Sequence, residues 1–379
     1  MNIVLVGPTY PFKGGIAHYS TLLCLQLRKK HRVKFLTFSR QYPALLYPGD
    51  PGCDKSRIKL SIDDALPIID WANPVSWVKA ARVITDFSPV IVIFAWWMWG
   101  WVVPFWIIAQ LSRIRSGAKI LYICHNVIEH EPNFWRNFLS KFALTSGDFY
   151  IAHSQDDYDR LKQLFPHAVI KLNFHPTYKF FNRERIKRGE ARQRLGIEPE
   201  FKKVLLFFGI VRPYKGLRYL IEAMPRVIKE IPDLCLVIAG EFWQEKDLIV
   251  DMIHRFDVAD HVLILDEYIP NEDVFLYFSA CDVVVLPYVT ATGSGVTQIA
   301  FGFNKPVVAT ATGDLPYVVE NGRRGLIVPP EDSTLLADAI IRCFDNDLLR
   351  TFRKNISKDG HLFSWENLTN SIEQDFVRA

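Results

Sequence analysis

Short apolar runs recur along this chain, each six or seven residues long and most of them rich in β-branched side chains. Polar or helical sequence follows each run, which is the alternation of a mostly parallel sheet covered by helices. The predicted strands are 2–7, 33–38, 90–96, 119–125, 148–154, 204–210, 235–241, 262–268, 282–288, 305–311 and 325–330. The predicted helices are 16–30, 216–231, 244–256, 271–280 and 333–346. We therefore predict an α/β fold with two doubly wound, Rossmann-like halves.

The alternation stops between residues 175 and 200, where no strand pattern occurs. Residues 183–194 contain six basic and two acidic side chains. This stretch is either a solvated linker helix or a patch for anionic lipid or phosphate. We predict domains at 1–175 and 201–362, joined by a linker at 176–200. Ligands in open α/β sheets bind beyond the carboxyl ends of the strands, so two such sheets facing each other would form a ligand cleft.

Composition restricts the classes of protein that fit. The 379 residues suit two domains, and 49% hydrophobic with 23% charged residues are globular values. The net charge of +4 is too small to indicate nucleic-acid binding. Six cysteines form no CxxC pair, which predicts reduced, buried thiols. The chain enters a strand without a basic region or cleavage site, so we expect no signal peptide and a cytoplasmic location.

Aromatic residues are concentrated in one place. Five of the ten tryptophans are Trp96, Trp97, Trp99, Trp101 and Trp106. Residues 87–112 carry no charge and are long enough to cross a bilayer, but Gly100 and Pro104 interrupt them. Three interpretations stay open: a transmembrane helix, a wholly buried βαβ unit, or a partly exposed aromatic face that touches lipid or a lipid-linked substrate.

Two candidate segments follow strands of the first half. Gly14 and Gly15 lie where the first strand turns into a helix, and paired glycines serve either a close approach to a ligand or a tight turn. His125 and Asn126 follow a buried strand, with Glu-His-Glu at 129–131 close behind. This polar cluster is a site candidate, and its spacing fits a loop better than a metal-binding helix.

Two further segments follow strands of the second half. Arg212 and Lys215 lie in the loop before a helix, where a planar guanidinium and a mobile ammonium beside a helix N-terminus would bind a diphosphate. A small-residue turn that opens another helix consists of Gly293, Ser294, Gly295 and Val296. The backbone amides of such a turn can hold an anion.

Together these motifs resemble glycosyltransferase family 4, which has the GT-B fold of two Rossmann-like domains facing across a cleft. The resemblance covers nearly the whole chain and is strongest over 204–330, where FFGIVRPYKGLRYLIEAM is similar to the family's G-x-x-x-x-x-K-G strand–loop–helix. FSWEN at 363–367 is similar to the closing segment, so 363–379 is expected to form a helix that crosses back onto the first domain. The resemblance implies retaining transfer of a sugar from a nucleotide-sugar donor bound mainly by the second domain.

The resemblance also implies roles for individual residues. Arg212 and Lys215 match the diphosphate-binding pair, and His125 matches the histidine that faces the donor sugar. Ile269 matches the apolar position beside the nucleobase. The other expected substrate-binding residues are Gly14, Gly15 and Asn126 in the first domain and Gly293, Ser294, Gly295 and Val296 in the second.

One departure from the family pattern concerns its two glutamates with seven residues between them. Thr290 and Gln298 stand at those positions. Gln298 is still expected to hydrogen-bond a ribose hydroxyl, because its amide both donates and accepts. Thr290 has no carboxylate, which leaves the donor sugar open.

We expect a hexosyltransferase that needs neither a metal nor another cofactor, with the nucleotide-sugar as co-substrate. Charge on the departing diphosphate would be stabilised by Arg212, Lys215 and the helix-terminal amides. The tryptophans and the basic stretch 183–194 predict a peripheral enzyme on the cytoplasmic membrane face, with a lipid-linked or membrane-presented glycan acceptor and no nucleic acid. The alternatives are another enzyme on the same fold and a catalytically degenerate binding subunit.

Overall fold

The computed structural model describes residues 1–41, 54–127, 134–184 and 186–377. The chain forms two compact units. Unit 1 comprises Met1–Phe174 together with the chain from Ser364 onwards, and unit 2 comprises His175–Phe363. Each unit contains one parallel β-sheet with helices packed against it.

The sheet of unit 1 has seven strands in the order β3-β2-β1-β4-β5-β6-β7. Its strands are β1 (Asn2–Val6), β2 (Arg32–Arg40), β3 (Leu66–Asp70), β4 (Ile91–Trp96), β5 (Lys119–Cys124), β6 (Phe149–Ala152) and β7 (Val169–Leu172). Its helices are α1 (Gly15–Leu27), α2 (Pro74–Phe87), α3 (Val102–Ser116), α4 (Phe134–Leu144), α5 (Gln155–Leu164) and α14 (Trp365–Ser371).

The sheet of unit 2 has six strands in the order β10-β9-β8-β11-β12-β13. They are β8 (Lys203–Phe208), β9 (Leu234–Ala239), β10 (Val262–Leu265), β11 (Val283–Leu286), β12 (Val307–Thr310) and β13 (Gly325–Val328). The helices are α6 (Arg188–Arg194), α7 (Leu217–Glu230), α8 (Lys246–Arg255), α9 (Val274–Ala280), α10 (Gly295–Gly302), α11 (Leu315–Val319), α12 (Ser333–Cys343) and α13 (Asn346–Lys358).

All eleven predicted strands are present. Nine of them are central strands, which are covered on both faces and therefore appear as continuous apolar runs, and the edge strands β10 and β13 are apolar as well. The structure adds β3 and β7, which the apolar pattern misses. Both lie at edges of the unit 1 sheet. Pro67 interrupts β3, and an edge strand tolerates proline because one side needs no ladder hydrogen bonds.

The tryptophan-rich segment forms the core of unit 1. Trp96, Trp97 and Trp101 are buried, and the Trp101 ring lies 4.2 Å from the Phe38 ring and 5.5 Å from the Phe105 ring. The expectation of a lipid-facing block is therefore wrong for these three side chains: β4 and α3 bury them as part of a βαβ unit. Across the described ranges, no helix combines the length and the apolar character needed to span a bilayer.

The predicted linker 176–200 belongs to unit 2 in the structure. Its helix α6 is tied to the sheet, because the guanidinium groups of Arg188 and Arg192 bind the buried carboxylate of Asp282 at 2.9 and 2.7 Å. Ala191 packs in the interior. Lys187, Arg188 and Arg194 are nevertheless exposed, so this helix is largely solvated, and the alternative of a patch for anionic lipid or phosphate stays a prediction.

The returning segment completes the core of unit 1. Leu368 of α14 and Ile372 are fully buried against α1 and the first strands. Ser364 caps α14 by accepting a hydrogen bond from the Asn367 amide, and the Trp365 ring lies 5.1 Å from the Tyr19 ring. The terminal helix therefore crosses from unit 2 back to unit 1.

Candidate functional site

In unit 2, the loop after β8 places Lys215 and the small-residue turn at 293–296 close to Gly209. Gly209 has a φ of +98°, and a Cβ at this position would lie 3.4 Å from Lys215 Nζ and 4.0 Å from Val296 Cγ2. Gly216 has a φ of +64°, and a Cβ there would overlap the Pro287 carbonyl oxygen. The loop thus packs on the end of β11, and the Lys215 ammonium lies beside the first turn of α10.

Aromatic rings hold the two predicted phosphate-binding cations. The Arg212 guanidinium carbon lies 4.2 Å from the centre of the Trp243 ring, whose indole N–H is 3.4 Å from Glu241 Oε2. Lys215 Nζ lies 5.2 Å from the centre of the Tyr288 ring. Within the described part of the chain, neither cation forms an ion pair. A ring orients a cation without neutralising it, so both charges stay available for an anion.

The small-residue turn lies at the start of α10. Ser294 is the N-cap residue, but its side chain makes no capping hydrogen bond; its Oγ lies 3.2 Å from the Tyr288 hydroxyl. Gly293 and Gly295 are exposed. A helix start without a side-chain cap leaves its first amides to water or to a ligand, which is the arrangement that binds phosphate.

The two positions that depart from the family pattern differ in environment. Gln298 is 1% exposed, and no described residue donates a hydrogen bond to its Oε1. Thr290 is exposed on the loop that follows β11. Ile269, the predicted nucleobase neighbour, is buried beyond the end of β10. The roles assigned to these three residues stay predictions.

A carboxylate that the sequence could not place lies beside the small-residue turn. Asp314 is 5% exposed, and its Oδ2 lies 3.1 Å from where a Cβ on Gly293 would be. The Asp314 amide donates to the Thr292 carbonyl at 2.9 Å. Gly313 has a φ of +52° and approaches the 291–292 backbone too closely for a side chain. The Gly-Asp pair is therefore held against the turn, a contact between loops that spacing alone does not reveal.

In unit 1, the predicted glycine loop and histidine lie around the first helix. Gly14 is the N-cap residue of α1 with a φ of +114°, and nothing lies within 4 Å of where its Cβ would be. Gly15 is the first residue of that helix. The His125 amide donates to the Trp96 carbonyl at 2.8 Å, and its ring meets the Tyr19 ring edge-on at 4.5 Å. Asn126, which follows it, is partly buried.

A second histidine, which the sequence analysis missed, supports this arrangement. His153 Nε2 lies 2.9 Å from the Tyr19 hydroxyl, and Nδ1 lies 2.6 Å from the Asn173 carbonyl. Burial lowers the pKa of His153 to about 4, so the ring is neutral at physiological pH. Asn367 Nδ2 donates to Asn173 Oδ1 at 3.1 Å. The returning helix, His153 and Tyr19 thus form one connected support behind His125.

The sequence contains a signal for this second histidine. β5 and β6 pair Cys124 with Ala152, so His125 and His153 are the next residues on neighbouring strands, with ring centres 5.3 Å apart. The predicted Glu-His-Glu cluster at 129–131 lies outside the described residues. Among the residues that are described, no group of three or more His, Cys, Asp or Glu is placed to hold a metal ion.

Comparisons with known proteins agree with this architecture. The family model for Glycosyl transferases group 1 matches residues 202–346, which carry the cations and the small-residue turn. A D-inositol 3-phosphate glycosyltransferase of Corynebacterium diphtheriae is 30% identical over 74% of this chain and 68% of its own length. This chain belongs to the group 1 glycosyltransferases. The resemblance inferred from the motifs is therefore confirmed.

The share of each relative that this chain matches varies. The chain spans half the length of the D-inositol 3-phosphate glycosyltransferase of Corynebacterium glutamicum, which is 30% identical over 56% of this chain. Among solved structures, sucrose-phosphate synthase from Thermosynechococcus elongatus has a TM-score of 0.73 at 21% identity, covering 100% of this chain and 98% of its own. Anabaena HepE in complex with UDP has a TM-score of 0.75 at 19% sequence identity, and the match covers 100% of both chains. These structures confirm the GT-B fold class.

Proposed function

We propose that this glycosyltransferase moves a hexose from a nucleoside-diphosphate sugar to a glycan acceptor with retention of the anomeric configuration. One observation carries the proposal: in unit 2 the Lys215 ammonium and the uncapped start of α10 converge over Gly209. Arg212 lies in the same loop, and neither cation has a carboxylate partner within the described ranges. This arrangement fits two linked phosphates.

The chemistry proposed for the site is electrostatic. When the bond between the sugar and the diphosphate breaks, negative charge develops on the departing phosphate oxygens. Arg212, Lys215 and the amides of residues 293–296 would stabilise that charge in place, which is worth most where the donors are already positioned. Two fixed cations supply the charge that a divalent ion would bring, so we propose turnover without added metal or any other cofactor.

The sugar and the nucleoside would be held by neutral and acidic side chains. His125 is proposed to face the donor sugar because the family resemblance implies that role; within unit 1 its amide is bonded to Trp96 and its ring packs on Tyr19. Gln298 would bind a ribose hydroxyl through its Oε1, to which no described residue donates a hydrogen bond. Asp314 would take over the sugar contact that Thr290 cannot make, since its carboxylate lies against Gly293. The nucleoside is proposed to be uridine, because the structurally similar Anabaena HepE binds UDP.

The acceptor is proposed to be a lipid-linked or membrane-presented glycan in surface polysaccharide or glycoconjugate synthesis. Unit 1 exposes apolar side chains on neighbouring helices: Ile114 of α3 is 77% exposed, and Phe138 of α4 is 56% exposed. Trp106 stacks on Phe142, and Lys141 lies between these two phenylalanines in sequence. Exposed apolar and basic residues on adjacent helices favour peripheral contact with a cytoplasmic membrane face.

A second candidate function is a degenerate, sugar-nucleotide-binding subunit. The observation in its favour is that Thr290 and Gln298 stand where the family pattern has carboxylates. Such a subunit would bind the donor and release no nucleotide in the presence of any acceptor.

The test begins with thermal shifts against UDP-, GDP-, ADP- and TDP-sugars. A ligand at ~100 times its Kd stabilises by about 2.7 kcal/mol, which is a readily measured shift. Release of nucleotide is then measured for the stabilising donor with and without membrane glycolipid fractions. We expect acceptor-dependent release that Lys215→Ala reduces by about 10²-fold or more.

The matched control is Arg226→Ala, which removes a cation from α7 that pairs with Asp338 away from the loop. It should keep wild-type release. Donor binding without release under every acceptor condition would establish the binding subunit instead. Equal loss in both variants would contradict the phosphate assignment.

A further inference from the structure

A charged cavity lies in unit 2 at the opposite ends of its strands from the candidate phosphate site. Its volume is about 520 Å³, within the range of small-molecule sites. The cavity lies at the amino ends of β8 and β11 and along α13, whereas the loops described above follow the carboxyl ends of the same strands. Its lining residues include five cations and one carboxylate: Arg188, Lys202, Lys203, Arg350, Arg353 and Asp282.

The single carboxylate is already saturated. Asp282 accepts hydrogen bonds from Arg188 at 2.9 Å and from the Val204 amide at 3.0 Å. Arg192, which does not line the cavity, donates to Asp282 Oδ2 at 2.7 Å, and the Arg353 guanidinium lies 3.6 Å from Asp282 Oδ1. Three guanidinium groups therefore share one negative charge, and the cavity keeps an excess of positive charge.

Other contacts leave that excess in place. Lys203 pairs with Asp233 at 3.3 Å, whereas Lys202 donates to the Pro199 carbonyl and pairs with no carboxylate among the described residues. Arg350 is exposed and forms no ion pair with any residue in the described ranges. Beneath the cavity, Lys305 donates to the Cys281 carbonyl at 2.7 Å. Burial lowers the pKa of Lys305; Cys281 and Asp282 act against this shift, and the charges of Arg353 and Arg188 act with it.

We propose that this cavity binds a phosphate-bearing small molecule at a site separate from the donor site. Guanidinium groups bind phosphate through paired hydrogen bonds, and Arg350 and Arg353 present two of them from one helix. Buried Phe344 and Leu349 line the same cavity and suit the carbon skeleton of the ligand. The terminal amides of α13 are not the binding groups, because the Asp345 side chain already accepts two of them.

Distance makes the two sites independent. β8 runs from Lys203, which lines the cavity, to Phe208, next to Gly209 in the donor loop. At about 3.3 Å per residue, the strand separates the two sites by roughly 15–20 Å. A ligand in the cavity therefore would not displace the nucleotide, and variants of either site report on that site alone.

Binding is tested by calorimetric titration of the full chain with inorganic phosphate and with glycerol 3-phosphate. Arg350→Gln should weaken binding of the soluble probe by about tenfold or more, because a charge-assisted hydrogen bond is lost. Arg342→Gln removes the same charge from the exposed end of the neighbouring helix α12, outside the cavity, and should bind as wild type does. Lys202→Gln is the second cavity variant and should also weaken binding.

The source of the phosphate is separated by flotation with equimolar phosphatidylglycerol and phosphatidylcholine vesicles. Flotation that Arg350→Gln reduces and Arg342→Gln does not, together with weak soluble binding, assigns a lipid headgroup. Binding of glycerol 3-phosphate with no such flotation assigns a soluble metabolite. The proposal is overturned if Arg350→Gln and Arg342→Gln behave alike, or if Arg212→Ala alone abolishes phosphate binding. Donor binding stays at the wild-type level in Arg350→Gln, so failure here leaves the proposed function intact.

Discussion

The two units share a strand order, but their candidate sites are built in different ways. Each sheet places its first strand in the middle, with the next two strands on one side and the later strands on the other. In unit 2, backbone conformation makes the site: Gly209, Gly216 and Gly313 have positive φ values and allow loops to touch. In unit 1, packed rings make it: His125, Tyr19 and His153 contact one another.

The cores of the two units also differ in the residue types that fill them. The core of unit 2 is mostly aliphatic, with leucine, isoleucine and valine from every strand of its sheet. The core of unit 1 contains Trp77, Trp96, Trp97 and Trp101 together with several phenylalanines and tyrosines. The same strand order is therefore compatible with an aliphatic core or an aromatic core, and most of the candidate site residues lie in the loops that follow the strands.

The largest expected effect is on the stability of unit 1. Trp101→Ala should lower the free energy of unfolding by about 3–5 kcal/mol, because it removes a buried indole from the aromatic core. Chemical denaturation followed by near-UV circular dichroism measures the loss. Trp99→Ala is the matched control, since that ring is only partly buried and should cost less. Equal effects would remove the distinction between core and surface tryptophans.

The next effect falls on catalysis in unit 2. Arg212→Ala should reduce turnover by about 10²- to 10³-fold, the usual result of removing one donor that stabilises developing charge. The fold should be retained, because the side chain rests on Trp243 in a loop. Steady-state kinetics with the donor found by thermal shift gives the number. Turnover close to wild type would show that the diphosphate is bound elsewhere.

A pH effect of similar size is expected in unit 1. The pKa of His153 is about 4 in the folded chain and about 6.5 when unfolded, so between these values only the unfolded chain binds this proton. The contribution of His153 to the free energy of unfolding is therefore complete above pH 6.5. It decreases by about 3 kcal/mol as the pH falls towards 4, because the unfolded chain takes up a proton that the folded chain does not. His153→Gln has no side chain that titrates in this range, so it lacks this pH-dependent loss of stability. Denaturation at pH 7 and pH 4.5 should show a smaller loss in the variant, and parallel curves would rule the assignment out.

The smallest effect concerns nucleotide affinity. Gln298→Ala should weaken binding by about 1–3 kcal/mol if a ribose hydroxyl uses its Oε1. Gln298→Glu is the sharper variant, because it restores the residue type of the family pattern at the same length. Titration with the nucleotide alone measures both. Higher affinity in Gln298→Glu supports the family geometry, whereas unchanged affinity in Gln298→Ala would place the ribose at another residue.

The sequence predicts the central strands and the motif loops of this chain well, for a physical reason. Buried parallel strands require continuous apolar runs, and loops that touch require glycine at fixed positions such as Gly209 and Gly216. The two edge strands of unit 1 escape detection, since β3 contains Pro67 and β7 contains Lys171, whereas the edge strands β10 and β13 of unit 2 are apolar and were predicted. The burial of the tryptophans also could not be read from composition, because an apolar residue fits a core and a membrane surface equally well.

Contacts between segments that lie far apart in the sequence could not be predicted either. Asp314 reaches Gly293 only through the fold of two loops, and Arg188 and Arg192 find Asp282 about ninety residues away. Spacing along the chain carries no information on such pairs. The roles of the candidate site residues remain predictions that the variants above test.

The returning helix has a consequence for the order of synthesis. Unit 1 lacks Leu368 and Ile372, two fully buried side chains, until almost the whole described chain has left the ribosome. Unit 2 is contiguous in sequence and is complete by Phe363. Unit 2 can therefore finish folding first, whereas the aromatic core of unit 1 stays incomplete until a segment that is translated after unit 2 packs against it.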